Sequence, residues 1–206
     1  MKSNNTEIDL SFLTVSFSYL QTTENILEKM ESSGNPHMTL MDHDDKRNIE
    51  ERYDEITKWS DFKVILPTLF LFYHGIETLF KGLLFLKKPT SNLIIKYKHD
   101  LKKLFNETRK NYPEISFMKK LEPYLIYSHE TPLILTNFIN SNKGLNNVND
   151  LYLALRYPID NAKEINYDYF KLKYTEQVGA SFAGKLKVLI EEIRKETVKI
   201  YREKRK

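Results

Sequence analysis

His74, Glu77 and Lys81 stand at i, i+3 and i+7 within the stretch Phe62–Lys88, so on a helix they share one face. An imidazole, a carboxylate and an ammonium in a row are the material of general acid–base chemistry or of a polar binding anchor. The same trio can equally be a satisfied buried network that fixes helix register. Three further groups carry chemistry. His99 and Asp100 precede an amphipathic segment, where one can cap the helix and His99 can face the same cleft as the stripe. Arg156 follows the apolar run Leu151–Leu155 and precedes Pro158. It can pair with Glu77, grip a phosphate bidentately, or stay a plain surface arginine. Lys195, Lys199, Arg202, Lys204, Arg205 and Lys206 form a basic C-terminal run able to touch a nucleic-acid backbone or simply to complement the helix dipole. The candidate catalytic residues are therefore His74, Glu77, His99 and Arg156, and the candidate ligand contacts are Lys81, Asp100, Tyr157, Lys199 and Arg202.

Metal chemistry has little to build on. A di-iron carboxylate site needs Glu-x-x-His motifs on separate helices, and this chain has one reversed His-x-x-Glu. His37, Asp42, His43, Asp44 and Asp45 can take a cation in principle, but acidic residues are ordinary beside a helix start. With no cysteine there is no disulfide, thiolate site or cysteine nucleophile. No Gly-rich phosphate loop, Gly-x-Ser-x-Gly or His-Glu-x-x-His occurs. No metal or cofactor is expected.

The elements that must position these groups read as helices. Residues 62–88 are the most apolar run, with Leu66, Leu69, Phe70, Tyr73, Ile76, Leu79, Phe80, Leu83, Leu84 and Phe85 covering most of a helical wheel. Such a helix is usually buried. Lys63, His74, Glu77 and Lys81 keep it short of the roughly 18 unbroken apolar residues of a membrane span, so a core helix is expected and no membrane partner. Residues 8–20 alternate as a strand would, yet Leu13, Phe17, Leu20 and Leu27 also share a helical face, and a helix over about Asp9–Met30 is favoured. Ser32–Pro36 breaks the chain. Asp44 or Asp45 is placed to cap a helix carrying Ile49, Tyr53, Ile56 and Ser60, and Trp59–Asp61 marks a bend. Pro67 lies near the start of the central helix. A short amphipathic helix over Tyr97–Asn111 follows, then one opened by Pro113 and one with Pro132 at its first position. Asn146–Asn149 reads as loop, Leu151–Arg156 as a short apolar element, and Ile165–Tyr174 as compatible with extended chain. The last helix covers about Thr175–Tyr201 with the stripe Val178, Phe182, Leu186, Leu189, Ile193 and Ile200.

Length supports one domain, comprising an N-terminal helix and loop over 1–45 and a core over 46–206. The expected fold is all-α, an up-and-down bundle of four to five main helices with short accessory ones. The net charge of +4 is mild. Between Lys185 and Lys206, nine Lys or Arg face four Glu, a local excess larger than that of the whole chain. No apolar stretch follows Lys2, so no secretory leader is read, and a cytoplasmic location is expected.

The segments His74-Gly75-Ile76-Glu77-Thr78-Leu79-Phe80-Lys81-Gly82-Leu83-Leu84 and Lys98-His99-Asp100-Leu101-Lys102-Lys103-Leu104-Phe105 resemble the HEPN superfamily, small helical domains of prokaryotic defence, toxin and nucleotide-linked systems. Leu155-Arg156-Tyr157-Pro158 is similar to a turn before the last long helix in some members. The resemblance covers roughly residues 60–205. It implies a helical bundle, usually a homodimer, that binds RNA or a protein from a neighbouring gene in a stress or phage-defence setting. Active members use an Arg-x(4–6)-His motif, and here no arginine has a histidine five to seven residues downstream. The alternatives are a metal-independent endoribonuclease with a rearranged site, in which His74, Glu77, His99 and Arg156 converge, and a purely structural dimerisation module.

Overall fold

The computed structural model describes residues 3–36, 48–89, 96–159, 166–173 and 178–204. Its elements are α1 (Ser3–Ser32), α2 (Ile49–Thr57), α3 (Asp61–Lys87), α4 (Leu101–Asn111), α5 (Phe117–Leu125), α6 (Leu133–Ser141), α7 (Val148–Ala154), a 3₁₀ turn (Tyr169–Leu172) and α8 (Val178–Lys204). The fold is all-α; among the described residues the one trace of sheet is an isolated bridge between Ile159 and Asn166.

α3 is the hub because its sequence is apolar nearly all round. Ile65, Leu69, Phe72, Tyr73, Ile76, Leu79, Phe80 and Leu83 are all buried. The helical stretch Ile49–Lys87 contains a window apolar and long enough to cross a membrane, and 78% of that window is buried inside the fold, as in a core helix. α1 lies antiparallel along α3, Leu13 beside Gly82 and Leu20 beside Gly75. A Cβ on Gly82 would stand 2.7 Å from Leu13 Cδ2, and one on Gly75 would stand 3.0 Å from Leu20 Cδ2. The two glycines, seven residues apart on one face, therefore let the helices close together. Ser16 Oγ donates to the Gly75 carbonyl at 2.8 Å, so the contact leaves this hydroxyl satisfied.

α8 packs on α1, with Ile190 and Ile193 buried and the pairs Arg194–Glu24 and Lys187–Glu31 at 2.6 and 2.8 Å alongside. α4 and α5 close the other side of α3. Tyr112 Oη donates to the Leu83 carbonyl at 2.8 Å, and Tyr73 Oη to the Tyr124 carbonyl at 2.9 Å. Burial holds the Tyr73 hydroxyl well above its ordinary pKa, with Tyr127 and Tyr124 adding to the effect, so it remains a donor.

Several expected boundaries move. Residues 8–20 are helix, within Ser3–Ser32. α2 is capped by Asn48, whose side chain accepts from Glu50 N; Asp44 and Asp45 lie outside the described residues. α3 begins at Asp61, which puts Pro67 in its second turn, and the helix continues through it. α5 starts at Phe117 rather than Pro113, because Glu196 of α8 accepts from the backbone N–H groups of Ser116 and Phe117 at 3.1 and 3.3 Å and satisfies that helix end. Pro132 sits at the N-cap of α6, one residue before the first helical position. α7 starts at Val148, inside the expected loop, because Asn147 and Asp150 form a capping box. In the expected extended stretch, Asp168 accepts from Phe170 N and initiates the 3₁₀ turn that buries Leu172.

Candidate functional site

His74, Glu77 and Lys81 project from one face of α3, and two other elements complete the cluster. α7 supplies Tyr152, held by the capping box one turn before it. The turn before α4 supplies His99. That turn is pinned by two buried apolar residues, Tyr97 and Leu101, with Lys98 between them in the left-handed region at φ 42°, a conformation uncommon outside glycine. Asp100 is the N-cap of α4. Its carboxylate accepts from Lys103 N at 3.0 Å and Asn149 Nδ2 at 2.8 Å, and pairs with Lys103 Nζ at 2.8 Å. Asn149 thus ties α7 to the His99 turn.

Glu77 is the centre. Its side chain is 1% exposed, and Lys81 Nζ lies 2.5 Å from Oε1. His99 Nδ1 lies 3.0 Å from Oε1 and 3.2 Å from Oε2, and the Tyr152 hydroxyl stands near enough to this carboxylate to help lower its pKa. Burial alone would raise the Glu77 pKa. The Lys81 ammonium, the hydrogen bonds from Lys81 and His99, and the nearby Tyr152 hydroxyl outweigh it and hold the pKa below the ordinary value. Glu77 is therefore a charged acceptor. Tyr152 is pushed far above its ordinary pKa, by burial first and then by the Glu77 charge, so it keeps its proton.

His74 Nδ1 lies 2.7 Å from the Tyr152 oxygen and 3.8 Å from Glu77 Oε2. Burial lowers the His74 pKa, Glu77 opposes this, and Arg156 and Lys81 reinforce it, so the ring is neutral at pH 7. The 2.7 Å contact makes the His74 ring and the Tyr152 hydroxyl hydrogen-bond partners, the direction following from which ring nitrogen carries the hydrogen. Tyr19 meets the His74 ring edge-on at 4.6 Å between centroids and Phe70 stacks on it at 5.7 Å. Three aromatic residues therefore lock this imidazole.

His99 differs from His74 in being open. Its side chain is 56% exposed while Nδ1 is held against the buried carboxylate, which leaves Nε2 on the accessible edge. A carboxylate that fixes the tautomer of an accessible imidazole is the arrangement of a general base. Arg156 lies just past α7 with its guanidinium carbon 5.1 Å from the centre of the Tyr152 ring and 5.9 Å from that of Tyr157. It makes no ion pair among the described residues.

Glu77, Lys81 and His99 are thus joined directly, while His74 bonds to Tyr152 and Arg156 stands over the Tyr152 ring. Tyr157 is half exposed beside Arg156. Asp100 lies behind His99 and is occupied as a cap. Lys199 and Arg202 sit elsewhere, exposed on the last turns of α8. Lys199 lines a groove with Glu114, Ile115, Glu196, Ile200, Glu203 and Lys204, a surface of mixed charge. The group His37, Asp42, His43, Asp44 and Asp45 lies outside the described residues, and among those described no group of three His, Asp or Glu is placed to hold a metal ion. Tyr152, Phe70 and Tyr19 are not among the expected site residues; Phe70 enters there only as part of the apolar wheel of the central helix. Tyr152 carried a usable signal, since it stands four residues before Arg156 and shares its face on a helical turn.

No protein-family model, curated protein or solved structure matches this chain. The HEPN resemblance rests on the motif residues alone.

Proposed function

We propose that the cleft around Glu77 and His99 binds RNA and cleaves it by a metal-independent, 2′-hydroxyl-dependent transesterification. The observation that carries this reading is the open His99 imidazole, whose Nδ1 is held 3.0 Å from a 1% exposed carboxylate. In the proposed step, His99 Nε2 takes the proton of a ribose 2′-hydroxyl as that oxygen attacks the adjacent phosphorus. The bond from phosphorus to the 5′-oxygen breaks, water at the open mouth protonates the departing oxygen, and the His99 imidazolium returns its proton to solvent. Glu77 orients His99 through its contact with Nδ1. Arg156 is the donor for the equatorial phosphate oxygens, where charge builds in the transition state. Two fixed cations, Lys81 and Arg156, against the single Glu77 favour an anionic ligand. The HEPN resemblance supports RNA as that ligand, and a homodimer in a stress or phage-defence setting belongs to the same reading.

A second reading has its own support. Lys81 is 8% and Glu77 1% exposed, and they pair with each other, as in a network that fixes helix register in a module binding RNA without cutting it. Purified protein incubated in EDTA with single-stranded RNA and with DNA of the same sequence separates the two. The proposed reaction leaves RNA fragments ending in a 2′,3′-cyclic phosphate and leaves DNA intact. Salt-sensitive binding of RNA without any cleavage would replace it with the second reading, and metal-dependent cutting of both strands would overturn both.

A further inference from the structure

Next to the catalytic cluster lies a recess of about 450 Å³ lined by Leu66, Pro67, Phe70, Leu155, Arg156 and Tyr157. Its chemistry differs from that of the cluster: five apolar or aromatic residues and one guanidinium. Two of the six belong to both places. Phe70 forms part of the recess and also stacks on His74 at 5.7 Å and on Tyr152 at 6.3 Å. Arg156 stands at the rim, over the Tyr152 ring at 5.1 Å. A ligand part lodged in the recess is therefore held within reach of the guanidinium and beside the histidines. Tyr157 is 52% exposed, an aromatic ring on the solvent side of an apolar hollow.

We propose that this recess is a nucleobase subsite, in which one base of a single RNA strand stacks on Tyr157 while Arg156 holds its phosphate. The inference rests on the reading of the cluster as an RNA site and adds to it how a strand is seated. Charge complementarity selects the occupant: the cation stands at the rim and the apolar walls behind it, which matches a flat base attached to a phosphate. A purely apolar side chain would leave Arg156 without a partner. A base in a duplex is already stacked and paired, so the subsite selects single strands. Stacking on an aromatic face tolerates any base, and Leu66, Pro67, Phe70 and Leu155 offer no side-chain hydrogen-bond donor, so any discrimination among bases falls to the Tyr157 hydroxyl beside an Arg156 engaged with phosphate.

The test uses full-length protein and a 2′-O-methyl RNA octamer, which the proposed reaction cannot cut, in two forms: intact, and with a single abasic position placed in turn along the strand. Aromatic stacking of one base leads to an intact probe that binds about tenfold more tightly than the weakest abasic probe. Tyr157→Ala removes that difference and Tyr157→Trp restores it. Because the ring is half exposed, the substitution leaves the fold intact, which thermal unfolding checks. Equal affinity for intact and abasic strands, or a difference that survives in Tyr157→Ala, overturns the subsite while leaving the phosphate site standing. Binding of neither probe overturns the subsite together with the RNA reading beneath it.

Discussion

Glu77 is charged and almost wholly buried, so the residues around it bear an electrostatic constraint as well as a packing one. Glu77→Gln keeps the shape but leaves the Lys81 ammonium without its countercharge. Breaking a buried pair from one side costs about 3 kcal/mol or more, and chemical denaturation measures it. The pH dependence has a definite sign. The folded pKa of Glu77 lies below its ordinary value of 4.5, so its stabilisation is complete above that value and is lost as pH falls through the lower folded value. Denaturation midpoints of the wild type should fall with acidification below pH 4.5, and Glu77→Gln should lack that component. His74 adds a second window. Its folded pKa is lowered from 6.5, because the neutral ring is the form that suits its surroundings. The unfolded chain therefore binds the proton more readily, and stability declines as pH falls below 6.5. In His74→Gln the decline between pH 6.5 and 5 should be smaller; an unchanged slope would show that the burial of His74 does not set this dependence.

At the scale of elements, the close approach of α1 to α3 depends on Gly82 more than on Gly75. A Cβ at Gly82 meets Leu13 at Cγ, Cδ2 and the backbone nitrogen, at 2.9, 2.7 and 3.3 Å, and Leu13 is buried with little room to yield. Gly82→Val should cost about 3 kcal/mol in urea unfolding. Gly75→Ala, where the nearest atoms are Leu20 side-chain carbons at 3.0 Å, should cost less, since helix propensity returns up to about 1 kcal/mol. The His99 turn is likewise a property of its element. Asp100→Ala removes the cap of α4, at about 1 kcal/mol, and loosens the link to Asn149. It should slow RNA cleavage more than its stability cost explains, with binding little changed.

These elements also mark what was legible in the sequence. The dense apolar wheel of residues 62–88 dictated a buried helix, and the trio His74, Glu77 and Lys81 followed from its 3.6-residue period. The convergence of His99 and Arg156 on that trio is a tertiary fact, fixed by the burial of Tyr97 and Leu101 and by the cap on α7. Tyr152 falls inside the short apolar element Leu151–Arg156, where its spacing places it on the face of Arg156 but does not show that its hydroxyl meets His74 of another helix. The start of α5 depended on Glu196, some eighty residues downstream, which no local pattern contains.

For the whole molecule, the fold is a core helix sheathed by α1, α8 and the α4–α5 pair, with the polar seam opening where α4 and α7 begin. Leu13, Leu20, Leu27 and Met30 of α1 are all buried, so deletion of residues 1–32 should abolish cooperative unfolding rather than merely trim the domain. The basic residues near the end of α8 do not form a purely basic face, since they are interleaved with Glu191, Glu192, Glu196 and Glu203. RNA contact should therefore be local to the cleft, and Arg156→Ala should weaken binding far more than Lys199→Ala or Arg202→Ala. The most direct test of the account is the rate of RNA cleavage in EDTA by His99→Ala against wild type, both shown folded by circular dichroism. Loss of a positioned general base predicts a fall of about a hundredfold or more with RNA affinity retained. A folded His99→Ala protein that cleaves at the wild-type rate, or a wild type that cleaves nothing, would contradict it.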